Sequence, residues 1–176
     1  MRDEAVRRAA LIFKLFDANK NGVLDPQDFG LITDRVLAAA EDSTQKDREA
    51  FASSMRQWWD VLAGALDTDN DGLISPQEFE ASVLDPERFA PTADLFANAL
   101  ATLGDPDNDG LIERPRFLDL MTAWGFDVPN VHALFEAFGP DATDRVTVTA
   151  WADGIRDYYT PGLAGIPGDR LVSLPA

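Results

Sequence analysis

The twelve residues from Asp67 to Glu78, DTDNDGLISPQE, set oxygen-bearing side chains at alternate positions of a short polar loop, as a hard divalent cation requires. Asp67, Asp69 and Asp71 stand at positions 1, 3 and 5, Gly72 supplies the sharp turn at 6, and Leu73 offers its carbonyl at 7. Glu78, at position 12, is long enough to give both carboxylate oxygens, and the high coordination number this allows favours calcium over magnesium. The same residues start a helix. Ser75 is a fitting N-cap, Pro76 fits the first helical position, and Glu78 completes a Ser-x-x-Glu capping box, so cation binding and helix initiation share side chains.

The pattern recurs with departures. Asp17 to Asp28 (DANKNGVLDPQD) repeats it with Asp17, Asn19, Asn21, Gly22 and the Val23 carbonyl, and adds Asp25 at position 9. Its closing Asp28 is one methylene shorter than Glu78 and reaches a cation less readily with both oxygens. Calcium is expected here, with magnesium as a competitor because a small octahedral shell tolerates a single carboxylate contact. Asp105 to Arg116 (DPDNDGLIERPR) keeps Asp105, Asp107, Asp109, Gly110, the Leu111 carbonyl and Glu113, but carries Arg116 where the closing acid belongs. Two readings follow: a vestigial loop whose guanidinium pairs with those carboxylates, or a weaker site closed by Glu113 and water. Two calcium sites are therefore expected, and a third is open.

A fourth unit shows only its apolar frame. Val131, Leu134, Phe135 and Phe138 precede Gly139 as Trp59, Leu62, Ala63 and Leu66 precede Asp67, while Val146 and Trp151 match Ile74 and Phe79. Gly139 has no side-chain oxygen, Asp144 stands at the turn position and Ala150 at the closing one, so no ion is expected. Its expected role is to pair with the third loop through a short two-stranded contact at Ile112 and Val146, since a lone helix-loop-helix cannot bury its apolar face.

Helices are expected on either side of these loops. Ala9, Ile12, Phe13 and Phe16 form one stripe and Phe29, Ile32 and Val36 the next, at i, i+3, i+4 spacing. A polar stretch from Glu41 to Glu49 precedes a helix from Ala50 to Leu66. The segment from Phe79 to Gly104 contains Pro86 and Pro91, yet Phe89, Leu95, Phe96 and Leu100 make it too apolar for a free linker, so the halves should pack together. The expected organisation is one compact all-α domain over residues 1–176. Residues 1–90 form a first pair of units, 91–160 a second, and 161–176 a Pro/Gly-rich, non-helical tail whose apolar residues could cover a groove between helices.

With 176 residues and a hydrophobic fraction of 45%, the chain can bury a sizeable core. A net charge of −16 disfavours nucleic acid and anionic membrane as partners. Cysteine is absent, which removes disulfides and thiolate chemistry. The N-terminal stretch lacks the pattern of a secretory signal, and no window has the apolar length of a membrane span, so a cytoplasmic monomer is expected. His132 is the single histidine and has no nucleophilic partner, so no catalysis is expected.

The four units, the first loop with Asp28, the segment from Phe117 through Trp124 to Phe138 and the ending WADGIRDYYTPG resemble bacterial calerythrin, a prokaryotic relative of the sarcoplasmic calcium-binding proteins. That resemblance covers nearly the whole chain. It implies a compact all-helical fold of two EF-hand pairs, an intracellular calcium-buffering or carrier role, and transfer of the ligand set to the first two loops. Two other roles compete: a calcium sensor that binds a protein partner, and a small-molecule module like the calcium-triggered photoproteins. Only three methionines occur, where a sensor's adaptable groove is usually Met-rich. The aromatic residues Trp58, Trp59, Trp124, Trp151, Tyr158, Tyr159 and His132 that could line a small-molecule pocket have the spacing of ordinary core packing.

Overall fold

Each of the four loops lies between two helices. The computed structural model describes residues 2–82 and 86–172. Helices α1 (Arg2–Phe16) and α2 (Pro26–Ala38) flank the first loop, α3 (Gln45–Leu66) and α4 (Pro76–Ser82) the second, α5 (Pro86–Leu103) and α6 (Arg114–Trp124) the third, and α7 (Val128–Ala137) and α8 (Val148–Tyr158) the fourth. Proline sits at the start of α2, α4 and α5, where a missing amide hydrogen costs nothing. Gly125, with φ 103°, supplies the left-handed turn that ends α6.

The loops meet in pairs, as an isolated unit would leave its apolar face in water. Leu24 and Ile74 exchange amide-to-carbonyl hydrogen bonds of 2.9 Å each way. In the other half, β1 (Leu111–Glu113) and β2 (Arg145–Thr147) run antiparallel with Ile112 opposite Val146, the pairing that the sequence predicts. Leu24, Ile74, Ile112 and Val146 are all buried.

The central segment joins the halves. α5 packs against both α3 and α8, and Pro91 lies within it, near its N-terminal end. An aromatic cluster crosses the molecule: Phe16 touches Trp58 and Trp124, with ring centroids 6.4 and 5.8 Å apart, and Phe96 touches the same two indoles at 5.6 and 5.4 Å. Such pairs contribute about 0.5–1.5 kcal/mol each beyond the area they bury. Residues 90 and 91, where a division between the pairs was expected, lie inside α5.

Two expectations need correction. α3 begins at Gln45, because the Thr44 hydroxyl accepts from the Asp47 amide and caps a helix that the polar composition hides. The tail is not wholly irregular: Pro167–Val172 form a 3₁₀ turn that packs on α7, α1 and α8 and buries Leu171. Leu174 and Pro175 lie outside the described residues. What holds the tail is Arg8, only 2% exposed. Its guanidinium donates to the carbonyls of Tyr158, Thr160 and Leu163 at 3.1–3.2 Å and to the Asp169 carboxylate at 2.6 Å. A buried cation persists because four of its five N–H donors meet an oxygen, one of them a carboxylate.

Candidate metal centres

Three loops share one backbone network. In each, the carboxylate at position 1 accepts the amides of positions 5 and 6: Asp17 from Asn21 and Gly22, Asp67 from Asp71 and Gly72, and Asp105 from Asp109 and Gly110, all within 2.9–3.1 Å. The side chain at position 5 then accepts the amide of position 7 in Val23, Leu73 and Leu111. This folding requires positive φ at positions 4 and 6. Lys20, Asn70 and Asn108 adopt 58–62° at the former, and Gly22, Gly72 and Gly110 adopt 82–90° at the latter.

The network gathers acids. Oxygens of Asp67, Asp69 and Asp71 lie within 4.8 Å of one another, and so do those of Asp105, Asp107 and Asp109. These two clusters are consistent with calcium sites, since oxygen donors at this separation suit a hard cation with a shell radius of about 2.4 Å. The first loop holds fewer charges together. Asn19 and Asn21 replace two of its acids, and their side-chain amides donate to Asp25, drawing that carboxylate over the loop.

The closing residues are already turned inward in the first two loops. Glu78 accepts the amide and hydroxyl of Thr68 on one oxygen and those of Ser75 on the other, all at 2.8–2.9 Å. The return bond from the Glu78 amide to the Ser75 hydroxyl makes the predicted capping box. These donors, Ser75 first and then Thr68, lower the Glu78 carboxyl to a pKa of about 2. Asp28 makes the equivalent bridge, accepting from the Asn19 and Asp25 amides at 3.0 Å, and forms a capping box with Asp25 that the sequence reading overlooked. Its carboxylate is fully buried, and desolvation raises its pKa against those two amides.

The third loop departs from the first of its two predicted readings. Arg116 does not pair with Asp105, Asp107 or Asp109. It leaves the loop and donates to the carbonyls of Leu103 and Ala39, to the Ser43 hydroxyl and to Asp42. The guanidinium that does approach belongs to the fourth loop: Arg145 lies 3.2 Å from Asp109. The strand register explains it, because pairing Ile112 with Val146 also sets Glu113 opposite Arg145. That register was the available clue, and the positive residue beside Val146 went unused.

In the fourth loop, Asp144 takes the turn position at φ 63° despite its side chain. Arg114 holds it through a forked pair of hydrogen bonds, lowering its pKa, and also pairs with Glu136 while stacking over the Phe135 ring at 4.4 Å. Asp141 accepts from Thr143 and the Arg145 amide. Internal ion pairs and hydrogen bonds thus shape this loop where acids and a turn glycine shape the others. His132 is exposed on α7, near Arg114.

Helix-loop-helix units joined in pairs by their loops define an EF-hand-like calcium-binding architecture. The family model described as EF hand matches residues 9–32 and 64–84, the first two units. A 23 kDa calcium-binding protein of Tetrahymena thermophila is 32% identical over 76 residues, 43% of this chain and 33% of that protein, so the chain matches about a third of its length. A solved calcium-binding protein of Streptomyces coelicolor, described for prokaryotic calcium-mediated regulation, superposes with a TM-score of 0.74 at 27% identity, over 90% of this chain and 99% of that one. The amphioxus sarcoplasmic calcium-binding protein gives 0.65 at 18% identity over 100% of both chains, a likeness of fold. The chain is related to calcium-binding proteins built from EF-hand-like units, and it shares its fold with the sarcoplasmic calcium-binding proteins. Among the described residues no helix is long and apolar enough to cross a membrane.

Proposed function

We propose that the protein is an intracellular calcium buffer or carrier. Its principal sites are the first loop, through Asp17, Asn19, Asn21, the Val23 carbonyl and Asp28, and the second, through Asp67, Asp69, Asp71, the Leu73 carbonyl and Glu78. The third loop is an auxiliary site in which Asp105, Asp107, Asp109, the Leu111 carbonyl and Glu113 act without a closing acid. Magnesium competes at the first loop, where the short Asp28 is already committed to two backbone amides.

The observation that carries the buffering role is the docked tail. Arg8 fastens residues 158–169 over α1, and the adjoining core cavity, bordered by Ile12, Trp124, Tyr158 and Leu171, measures about 50 Å³. A sensor exposes an apolar groove on binding, and here that face is already covered from within the chain. The cavity also speaks against a photoprotein-like role, because pockets for drug-sized molecules are roughly 300–1,000 Å³.

Calorimetry on the full chain, with calcium and separately with magnesium, tests the assignment. Two strong calcium sites and a weaker third are expected, with magnesium displacing calcium from only one. Absence of any site above millimolar affinity overturns the reading.

A further inference from the structure

The two pairs of units hold their loops by different means. The second loop contains no Lys or Arg, and the amides of Thr68, Asp71, Gly72, Leu73 and Ser75 all donate to its own carboxylates. Among the described residues no basic side chain pairs with Asp67, Asp69, Asp71 or Glu78. Three of these acids bring oxygens within 4.8 Å of one another, so they repel until a cation joins them. Contact with the first loop is a single bridge, Leu24 with Ile74.

In the fourth loop the cation is part of the chain. Arg114, at the start of α6, donates through Nε and one terminal nitrogen to Asp144 at 2.7–3.0 Å, and the same terminal nitrogen reaches Glu136 on α7. Its amide donates to the Asp144 carbonyl at 3.3 Å, so side chain and backbone grip the same turn. Arg145 adds a second positive charge between Asp109 and Asp141. An isolated surface ion pair stabilises little, but a forked contact within a network of carboxylates is the exception. The neighbouring loop joins through a ladder of three residue pairs.

We propose that Arg114 does for the fourth loop what calcium does for the first two, and keeps the second pair of units in place when calcium is absent. Calcium-dependent ordering is then confined to the first pair. This rests on the assignment of calcium to the first two loops. A bound ion joins the helices of a unit by drawing oxygens from each onto one charge. Arg114 joins α7 through Glu136 to the turn through Asp144, and it belongs itself to α6. Its charge is permanent, because a guanidinium does not deprotonate in proteins. The rest of the molecule is fastened to this pair: the tail packs on α7 and α8, and Arg116 on α6 reaches the Ala39 carbonyl. A carrier so built releases its ions without exposing its whole core, and reorders only the first pair when it binds them again.

The test is amide hydrogen exchange on the full chain, read by NMR in saturating calcium and in excess EGTA, with calorimetry on the same samples. Chelation should speed exchange at Leu24 and Ile74 at least about tenfold. It should change Asp141 and Val148, whose amides donate to the carbonyls of Arg145 and Gly110, by less than about twofold. In EGTA, Arg114→Gln should exchange Asp141 and Val148 at least about tenfold faster than the wild-type chain. Asp144→Gly supplies the same readout should Arg114→Gln fail to fold. Glycine suits the φ of 63° at that position and favours the turn, yet it removes the carboxylate that Arg114 grips, so the same acceleration is expected. Exchange in the wild-type chain that chelation speeds equally in both pairs or in neither, or unchanged exchange of Asp141 and Val148 in the folded variants, overturns the proposal. Calorimetry separates the two readings: absence of calcium binding overturns the buffering role as well, whereas calcium binding with equal loosening of both pairs overturns this inference alone.

Discussion

Arg116 stands at the closing position of the third loop, yet its guanidinium donates to the carbonyl of Ala39, 2.9 Å away and 77 residues earlier in the chain. The side chain that should complete a cation shell instead clasps the corner between α2 and α3, where the Ser43 hydroxyl also receives it, and ties that corner to the Leu103 carbonyl at the end of α5. The unit gives up a ligand and the molecule gains a tie between its halves.

Removing that tie and leaving the acids alone separates the two roles. Arg116→Gln should lose about 2 kcal/mol of stability, a fall in Tm of roughly 4–8 °C, because buried carbonyls lose a charged donor. Calcium affinity at the third loop should change little. Arg145→Gln should do the reverse: near-unchanged Tm, and about a fivefold gain in third-loop affinity as a neighbouring positive charge leaves Asp109. Calorimetry and thermal melts on both variants check this, and the assignment fails if Arg116→Gln is the one that strengthens calcium binding.

What the sequence made legible was local. The loops, the Ser75–Glu78 capping box and the Ile112–Val146 pairing all follow from residues a few positions apart or from repeated spacing. Arg116 and Arg8 were not legible, because their partners lie 77 and as many as 161 residues away, and nothing in a sequence window distinguishes a clasp from a solvated cation. The start of α3 was missed for a different reason: a polar surface helix resembles a linker until its cap is recognised.

Glu78→Gln preserves size and removes the closing charge of the second loop. Its affinity for calcium should fall on the order of 100-fold or more, since charge count and rigidity set the affinity of such loops. The first and third loops should titrate unchanged in the same calorimetric experiment. An unaltered isotherm shows that Glu78 takes no part in binding.

The same carboxylate sets a pH dependence in chelated protein. Its pKa is lowered to about 2 by the amides and hydroxyls of Ser75 and Thr68, so its contribution to the fold is complete above the ordinary glutamate range near pH 4.5. It is lost as pH falls through about 2, when protonation weakens all four bonds. Amide resonances of Thr68 and Ser75 should follow a common titration in that window and lose it in Glu78→Gln. A midpoint near pH 4.5 in the wild-type chain contradicts the hydrogen bonding described.

Asp28→Glu tests the magnesium preference. The longer acid should widen selectivity for calcium over magnesium by about tenfold, because a bidentate closing contact suits the larger ion. Burial opposes the change: Asp28 has no exposed surface, and an added methylene costs about 1–3 kcal/mol of overpacking. Competition titrations and a melt should therefore show better selectivity with a lower Tm. Unchanged selectivity means that position 12 does not choose the ion.

The tail decides between buffering and sensing. Arg8 is buried under four oxygens supplied by residues 158–169, so Arg8→Met should free the tail while retaining much of the apolar packing of α1. In the wild-type chain, calcium should rigidify the loops without raising binding of the hydrophobic dye ANS, since the groove beside Leu171 stays covered. In Arg8→Met, dye binding should rise several-fold with or without calcium, because the cover is lost independently of the ion. Fluorescence titrations on the two proteins in calcium and in chelator distinguish the cases. A marked calcium-induced rise in the wild-type chain, matching the level of Arg8→Met, means that the ion itself releases the tail, and the protein is then a sensor whose groove the tail guards.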